Sequence, residues 1–316
     1  MSTGESTKAV VAALLANTGI AVLKFVAWAL TGASSMLAEA IHSVADAGNQ
    51  GLLLLGARRA ERAATPQHPF GFGRERYVYS FLVAVVLFSV GGLFALYEAY
   101  HRFREVHSGH PDELLSSGFW WVPIAVLVGA MVMEGMSFRT AKGQADRVRG
   151  DAGWVEFIRR AKSPELPVVL LEDSAALLGL TFALLGVGLS KLTGSGYFDV
   201  AGTTAIGLLL VAVAVVLGVE TKSLLLGEAA TPPVQRRIAE ALTGTDGVVG
   251  LIHMRTQHLG PDELLVGAKI AVPGDVTAAD VVACIDAAER AVREAEPTAA
   301  VIYLEPDLFD PSRLPE

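Results

Sequence analysis

Six long apolar stretches, separated by short polar loops, dominate the first two thirds of the chain. They lie near residues 8–30, 35–56, 77–100, 118–138, 166–190 and 200–219. About 20 helical residues cross the roughly 30 Å of hydrocarbon in a bilayer, and each stretch reaches that length. Because only helices and closed barrels satisfy their backbone groups in lipid, the pattern predicts a multi-pass α-helical membrane protein with six transmembrane helices.

The chain changes character after residue 226, where short alternating segments and turn residues replace the apolar stretches. We predict helices over residues 232–242 and 277–294, the second capped by Thr277. We predict strands over residues 248–257, 264–272 and 299–304. The sequence therefore predicts two domains, a membrane domain over residues 1–226 and an α+β domain over residues 227–316.

Composition supports a membrane protein and limits its partners. Hydrophobic residues make up 52% of the chain and charged residues 18%, and the mean hydropathy is +0.46. From Glu228 onward, 15 acidic residues outnumber 7 basic ones, and this balance of −8 equals the net charge of the chain. An acidic tail without a basic patch argues against nucleic-acid binding. The single cysteine, Cys284, excludes an intrachain disulfide and a thiolate metal cluster.

Basic residues in the loops predict the orientation. The loops after the second and fourth stretches hold 12 Lys and Arg residues, whereas the loops on the opposite side hold 3. Because Lys and Arg favour cytoplasmic loops, we expect both termini and the tail to be cytoplasmic. The compact loops, and an N-terminus without a recognisable signal or transit peptide, lead us to expect a bacterial inner membrane.

A polar stripe follows one face of the second stretch, because its members are spaced by three or four residues. They are Ser35, Glu39, His42, Asp46 and Asn49. In the fifth stretch Glu172 and Asp173 are adjacent, about 100° apart around a helix, so only one can point directly at the second helix. Ionisable groups in a bilayer are costly and usually face the bundle interior or a water-filled cavity.

His42, Asp46 and a carboxylate of the fifth stretch form a donor set suited to Zn²⁺, Co²⁺, Mn²⁺ or Fe²⁺. A ligating imidazole must be neutral and the carboxylates ionised, so protons compete with the metal and could be exchanged for it. The alternative is a buried His–Asp pair that only fastens helices together. Lys24, in the first stretch, is expected to pair with an internal acid such as Glu98 or to reach towards a headgroup.

Four local strings resemble the cation diffusion facilitator family of zinc-transporter antiporters, and the likeness covers nearly the whole chain. LAEAIHSVAD at residues 37–46 is similar to the family's second-helix HxxxD signature. HPFGFGR at residues 68–74 is similar to its first cytoplasmic-loop signature. DAGNQ at residues 46–50 and LLEDSAA at residues 170–176 are most similar to a divergent branch that includes a mitochondrial zinc transporter of animals.

The resemblance implies a metal site with two ligands from the second helix and two from the fifth, each pair spaced by four. His42, Asp46 and Asp173 match this pattern, but the fourth position falls on Val169, which cannot bind a metal. The remaining ligand is then a water or another side chain, or the branch works with three; the candidate side chains are Asn49 and Glu172. Because a lost imidazole moves a site towards harder ions, this departure weakens strict Zn²⁺ selectivity.

The resemblance also implies that the tail is a metallochaperone-like α+β domain that forms a homodimer. His253 matches a position that binds regulatory zinc in some relatives, and His68 matches one that binds an accessory metal. Most other ligands of the tail are missing, so we expect dimerisation without a formed zinc cluster there. Arg74 matches a basic residue that clasps the cytoplasmic end of the helix bundle, with Glu228 as its candidate partner.

Together these features predict secondary active transport, as efflux, of a divalent transition-metal cation, with Zn²⁺ as the first candidate, in exchange for protons. The same fold could instead carry Mn²⁺, Fe²⁺ or Co²⁺, or act as a metal-sensing membrane scaffold with a vestigial site. The sequence has neither a Walker A motif for ATP drive nor the HExxH motif of a metalloprotease. We therefore expect no enzymatic activity and no cofactor besides the transported cation.

Overall fold

The computed structural model describes residues 3–109 and 118–310. Long helices form its first part, beginning with α1, Thr3–Thr31, and α2, Ser34–Ala60. They continue with α3, Glu75–His107, and α4, Trp121–Arg149. A short helix, α5, Trp154–Arg160, precedes α6, Glu165–Thr193, and α7, Tyr197–Leu226.

Among the described residues, four helices are long and apolar enough to cross a membrane, namely α3, α4, α6 and α7. They confirm the last four of the predicted stretches as candidate spans. α1 contributes a shorter apolar segment, Asn17–Thr31. α2 is 27 residues long, but its polar stripe interrupts its apolar character. The count of six spans therefore stays a prediction.

Glycines bring α7 into close contact with its neighbours. A Cβ at Gly202 would lie 2.8 Å from the carbonyl oxygen of Phe182 and 3.3 Å from the Cα of Gly186, both on α6. A Cβ at Gly207 would lie 3.0 Å from the backbone nitrogen of Leu96 on α3. α3 is π-helical over Leu87–Leu93, just before this contact. These close approaches fix α7 against both helices, within a core of buried aliphatic side chains.

The second part of the chain is an α+β fold around a three-stranded sheet. Its strands are β1, Gly250–Gly260, β2, Glu263–Val272, and β3, Val301–Leu308, in the order β1-β2-β3. β1 and β2 are antiparallel, with Met254 opposite Ala268, whereas β2 and β3 are parallel, with Leu265 opposite Val301. The parallel pair requires a crossover, which the helix between β2 and β3 provides.

Two helices complete this fold and confirm the predicted order of elements. They are α8, Pro232–Thr243, and α9, Ala278–Ala295. Thr277 caps α9 as predicted, in a capping box with Asp280. Buried side chains from both helices and from the strands form one hydrophobic core, which includes Ile238, Val266, Val292 and Ile302. This core is separate from that of the long helices.

The chain divides into two compact units, which we call the membrane unit and the sheet unit. The membrane unit comprises Met1–Gly56, Tyr79–Arg159 and Pro164–Thr221, and the sheet unit comprises Ala57–Val78, Arg160–Ser163 and Lys222–Glu316. Two loop segments that precede residue 226 thus pack with the tail. Within the sheet unit, Arg76 Nη1 lies 2.9 Å from Asp262 Oδ2 in the turn between β1 and β2. The boundary after residue 226, as a functional division, stays a prediction.

The close approach of α6 and α7 can be tested with two glycines of α7. We expect Gly202→Ala to lower the stability of the detergent-solubilised protein by roughly 1–3 kcal/mol, because the new Cβ must displace backbone atoms. A Cβ at Gly218 would have no described atom within 4 Å apart from the backbone of its own helix and its neighbours in the chain. The matched variant Gly218→Ala should therefore be neutral or gain up to about 1 kcal/mol from helix propensity. Equal thermal midpoints for the two variants would contradict this packing.

Candidate metal centre

α2 turns its polar stripe towards the interior of the membrane unit, as predicted from the cost of exposing ionisable groups to lipid. Four members of the stripe are buried: Ser35, Glu39, His42 and Asn49. The fifth, Asp46, exposes 14% of its side chain. The spacing of three and four residues therefore identified an interior helix face.

His42 and Asp46 lie one turn apart on this face. His42 is 1% exposed, and its Nδ1 lies 3.4 Å from Asp46 Oδ1. Within the described ranges, neither ring nitrogen of His42 has a hydrogen-bond partner, and the same holds for Asp46 Oδ1. Buried polar atoms usually have such partners, because leaving them unpaired is costly. These atoms are therefore available to a ligand.

The two adjacent carboxylates of α6 point to different helices. Glu172 Oε1 accepts a hydrogen bond of 2.6 Å from Asn49 Nδ2 on α2. Asp173 Oδ2 accepts one of 3.0 Å from Ser137 Oγ on α4. Glu172, and not Asp173, is thus the carboxylate hydrogen-bonded to α2.

The structure does not assemble the predicted ligand set. Among the residues it describes, no three His, Cys, Asp or Glu side chains are positioned to hold one metal ion together. Asp173 nevertheless lies close enough to Asp46 for the two carboxylates to interact electrostatically. Metal ligation by His42, Asp46 and Asp173 stays a prediction.

Two charged residues near this site were not predicted to belong to it. Lys24 of α1 pairs with an internal acid as predicted, but that acid is Glu39 of α2, whose Oε2 lies 2.9 Å from the lysine Nζ, and not Glu98. Glu134 of α4 interacts electrostatically with Asp46 and with Asp173. The available signal was the charge of Lys24 and of Glu134 inside two apolar stretches, but the sequence does not reveal how those helices are rotated.

The start of α2 is fixed by a buried carboxylate of α7. Asp199 Oδ2 accepts hydrogen bonds of 2.8 Å from both the backbone nitrogen and the Oγ of Ser34. Its other oxygen accepts a hydrogen bond from Ser35 Oγ. Ser35, which belongs to the polar stripe by spacing, therefore anchors the helix terminus.

The two accessory histidines lie in the sheet unit, and both are exposed. His68 follows Thr65 in a tight loop, and its ring centroid lies 4.6 Å from that of Phe72. His253 lies on β1 opposite Lys269 of β2. In the part of the chain that the structure describes, neither belongs to a group of three side chains that could hold a metal ion.

The predicted pair of Arg74 and Glu228 is corrected by the structure. Glu228 forms its ion pair with Lys162, which lies between α5 and α6, and both side chains are mostly buried. No ion pair of Arg74 occurs among the described residues; it lies in the loop before α3 and lines a cavity with Phe72 and Leu259. The loop between α5 and α6 thus places Lys162 beside Glu228, although the two residues are 66 positions apart in the sequence.

Comparison with known proteins gives two family matches and several relatives. Residues 10–226 match the model of the cation efflux transmembrane domain, and residues 231–307 match that of the cation efflux protein cytoplasmic domain. The chain is 31% identical over 271 residues to the human "Proton-coupled zinc antiporter SLC30A9, mitochondrial", covering 85% of this chain and 46% of that protein. It is 28% identical over 274 residues to "Metal tolerance protein C4" of Arabidopsis thaliana, and the match covers 86% of this chain and 58% of that protein. It is 24% identical over 281 residues to "Cation-efflux pump FieF" of Pectobacterium atrosepticum, and the match covers 89% of this chain and 86% of that protein. The chain thus spans about half the length of the first two relatives.

The pair of Lys162 and Glu228 makes stability depend on pH. Burial raises the pKa of Glu228, but hydrogen bonds from Lys162 and Ser223 and the charge of Lys162 outweigh it and hold this pKa below its usual range. A lowered folded-state pKa stabilises the protein above the ordinary carboxylate value, and this contribution is lost as the pH falls through the lowered pKa.

We expect Lys162→Met to lower the free energy of unfolding at pH 7 by only about 1 kcal/mol, because the ion pair is partly exposed. The loss should become progressively smaller as the pH falls below about 4, because Glu228 is then protonated. Thermal unfolding of detergent-solubilised protein across this pH range measures the difference. The control Arg74→Met should stay within about 0.5 kcal/mol of wild type. If Arg74→Met lowered the free energy of unfolding more than Lys162→Met does, Arg74 and not Lys162 would be the partner of Glu228.

Proposed function

This chain belongs to the cation efflux family, and we propose that it exchanges a divalent transition-metal cation, with Zn²⁺ as the first candidate, for protons. Both family models that match it describe parts of cation efflux proteins. These matches support transport rather than an enzymatic reaction. The names of the relatives include a proton-coupled zinc antiporter, which supports both the metal and the exchange.

One observation supports the location of the transport site most strongly. His42 is buried in an apolar membrane unit, and both its ring nitrogens lack a hydrogen-bond partner within the described ranges. Imidazole nitrogen and carboxylate oxygen are ordinary ligands of Zn²⁺ and related cations. A divalent cation bound by His42 and Asp46 would satisfy polar atoms that otherwise remain unpaired at considerable cost.

A third ligand must come from a neighbouring helix, and Asp173 is our first choice. It would exchange its hydrogen bond with Ser137 for a bond to the metal, which a change of rotamer could bring about. Asn49 and Glu172 are weaker candidates because they already bind each other. Asn49 Oδ1 nevertheless lacks a partner among the described atoms, so it could complete the shell.

The same groups supply proton coupling. A cation requires neutral His42 and ionised Asp46, so binding of the cation releases protons and binding of protons releases the cation. Asp173 and Glu134 add carboxylates that interact electrostatically with Asp46. Alternating access of such a site to the two sides of the membrane would convert a proton gradient into metal efflux.

The placement in the membrane is part of the proposal. We propose that α1 and α2 also span, giving six transmembrane helices, and that basic loops hold both termini in the cytoplasm. We propose a bacterial inner membrane from the compact loops, although one similar protein is named as mitochondrial. The match of residues 231–307 to a cytoplasmic domain supports a metallochaperone-like tail that forms a homodimer.

A second candidate function is transport of Mn²⁺, Fe²⁺ or Co²⁺ on the same fold. Val169 occupies the position four residues before Asp173, and it packs against an apolar cluster that includes Phe157 and Leu170. A site with one imidazole and several carboxylates binds harder cations relatively better than one with two imidazoles. This position therefore bears on selectivity and not on the existence of transport.

Flux measurements in liposomes test the proposed transport. Under an imposed pH gradient, we expect reconstituted wild-type protein to carry Zn²⁺. We expect the Zn²⁺ flux of Asp46→Ala to be at least about 100-fold lower, because mutating residues that only orient metal ligands already lowers metal affinity or activity about 10–100-fold. Asp246→Ala removes an exposed carboxylate of the sheet unit and serves as the control. Equal flux for wild type and Asp46→Ala would rule out the proposed site, and binding without flux for every metal would favour a sensor.

Selectivity is tested at Val169. We expect Val169→His to raise the ratio of Zn²⁺ to Mn²⁺ flux by about tenfold or more, because an added imidazole favours the softer cation. Val169→Leu controls for the change in volume and should leave the ratio unaltered. An unchanged ratio in Val169→His would show that this position does not face the transported cation.

A further inference from the structure

A buried ammonium group lies beside the proposed transport site. Lys24 of α1 is 1% exposed, and its Nζ lies 2.9 Å from Glu39 Oε2 and 2.8 Å from Ser43 Oγ, both on α2. The carbonyl oxygen of Glu39 is 3.5 Å away. These contacts place three oxygens around one positive charge, and oxygen is also the ligand atom that hard cations take in proteins.

This cluster is adjacent to the residues that we propose as metal ligands. Glu39 precedes His42 by three residues, and Ser43 follows it directly, so the two cluster residues of α2 flank His42 within about one helical turn. The charge of Lys24 acts electrostatically on His42, on Asp46 and on Glu134. A cation bound by His42 and Asp46 would therefore be repelled electrostatically by the ammonium group of Lys24.

The second oxygen of Glu39 is unpaired. The carboxylate is fully buried, and among the described residues Oε1 has no hydrogen-bond partner. It faces Gly179 of α6, where a Cβ would lie only 2.6 Å from Oε1, so the glycine leaves room for this oxygen. Among the described residues, Lys24 supplies the one positive charge paired with the buried Glu39 carboxylate, and Oε1 has no hydrogen-bond partner.

We propose that Lys24 is a tethered cation that fills a second cation-binding position, formed by Glu39 and Ser43, and thereby limits the site to one divalent ion. The inference rests on the proposed function, because it assumes that His42 and Asp46 hold the transported cation. Without the ammonium group, the unpaired carboxylate of Glu39 would attract a divalent cation of its own. With it, a second cation would meet a positive charge at bonding distance and be repelled.

The test counts Zn²⁺ ions bound to the full chain in detergent micelles, by equilibrium dialysis and elemental analysis. We expect Lys24→Met to bind one more ion per chain than wild type, because methionine keeps the length of the side chain and removes its charge. The double variant Lys24→Met with Glu39→Gln should bind the same number as wild type. An equal number for Lys24→Met and wild type would overturn the proposal, whatever that number is.

The difference in number also separates this inference from the proposed function. If wild type binds no Zn²⁺ while Lys24→Met binds one ion, the second position is real and the transport site is wrong. If wild type binds one ion that Asp46→Ala loses, and Lys24→Met adds none, the transport site stands and the tethered cation is wrong.

A second comparison holds even if Lys24→Met fails to fold. Glu39→Gln leaves the ammonium group without its counter-charge, so we expect Zn²⁺ affinity to fall at least about tenfold through repulsion. The double variant should restore the affinity to within about threefold of wild type. A pair that only fastens α1 to α2 predicts the opposite pattern, in which these variants change thermal stability but leave Zn²⁺ affinity equal.

Discussion

An ionisable side chain in hydrocarbon must find an opposite charge, a hydrogen bond or a metal, because the alternative is a large desolvation cost. This constraint organises the membrane unit around α2, whose polar stripe meets partners on three other helices. The pairs are Lys24–Glu39 with α1, Asn49–Glu172 with α6 and Ser35–Asp199 with α7. Each pair fastens α2 to a neighbour and fixes its rotation. His42 and Asp46 are the exceptions, since neither ring nitrogen of His42 nor Asp46 Oδ1 has a hydrogen-bond partner among the described residues.

The contrast between paired and unpaired groups separates structural from functional roles along one helix face. Glycines allow α7 to approach α6 and α3 closely, so the apolar surroundings of the stripe are tightly packed. A packed, apolar environment strengthens the electrostatic interactions among the few charges inside it. The site we propose is therefore a small set of charges whose balance depends on each member. The sheet unit has its own hydrophobic core and shares none of these charges.

Predictions from residues close together in the chain are confirmed, whereas the partner residues of two predicted ion pairs differ in the structure. Residues close together in the chain determine the length and hydropathy of α3, α4, α6 and α7. They also determine the capping of α9 by Thr277. The inward face of α2 followed from a spacing of three and four. By contrast, Lys24 could reach an acid on several helices, and the choice of Glu39 over Glu98 depends on how α1 and α2 are rotated. Glu228 likewise pairs with Lys162 because of the packing of a loop.

X-ray absorption at the zinc edge of Zn²⁺-loaded protein shows whether His42 binds the transported cation. With one cysteine and seven histidines in the chain, the spectrum distinguishes few donor sets. We expect nitrogen and oxygen ligands at about 2.0–2.1 Å, no sulfur, and outer-shell scattering from one imidazole. That imidazole signal should disappear in His42→Gln. An imidazole signal that persists in His42→Gln would place the cation on another histidine and exclude His42 as its ligand.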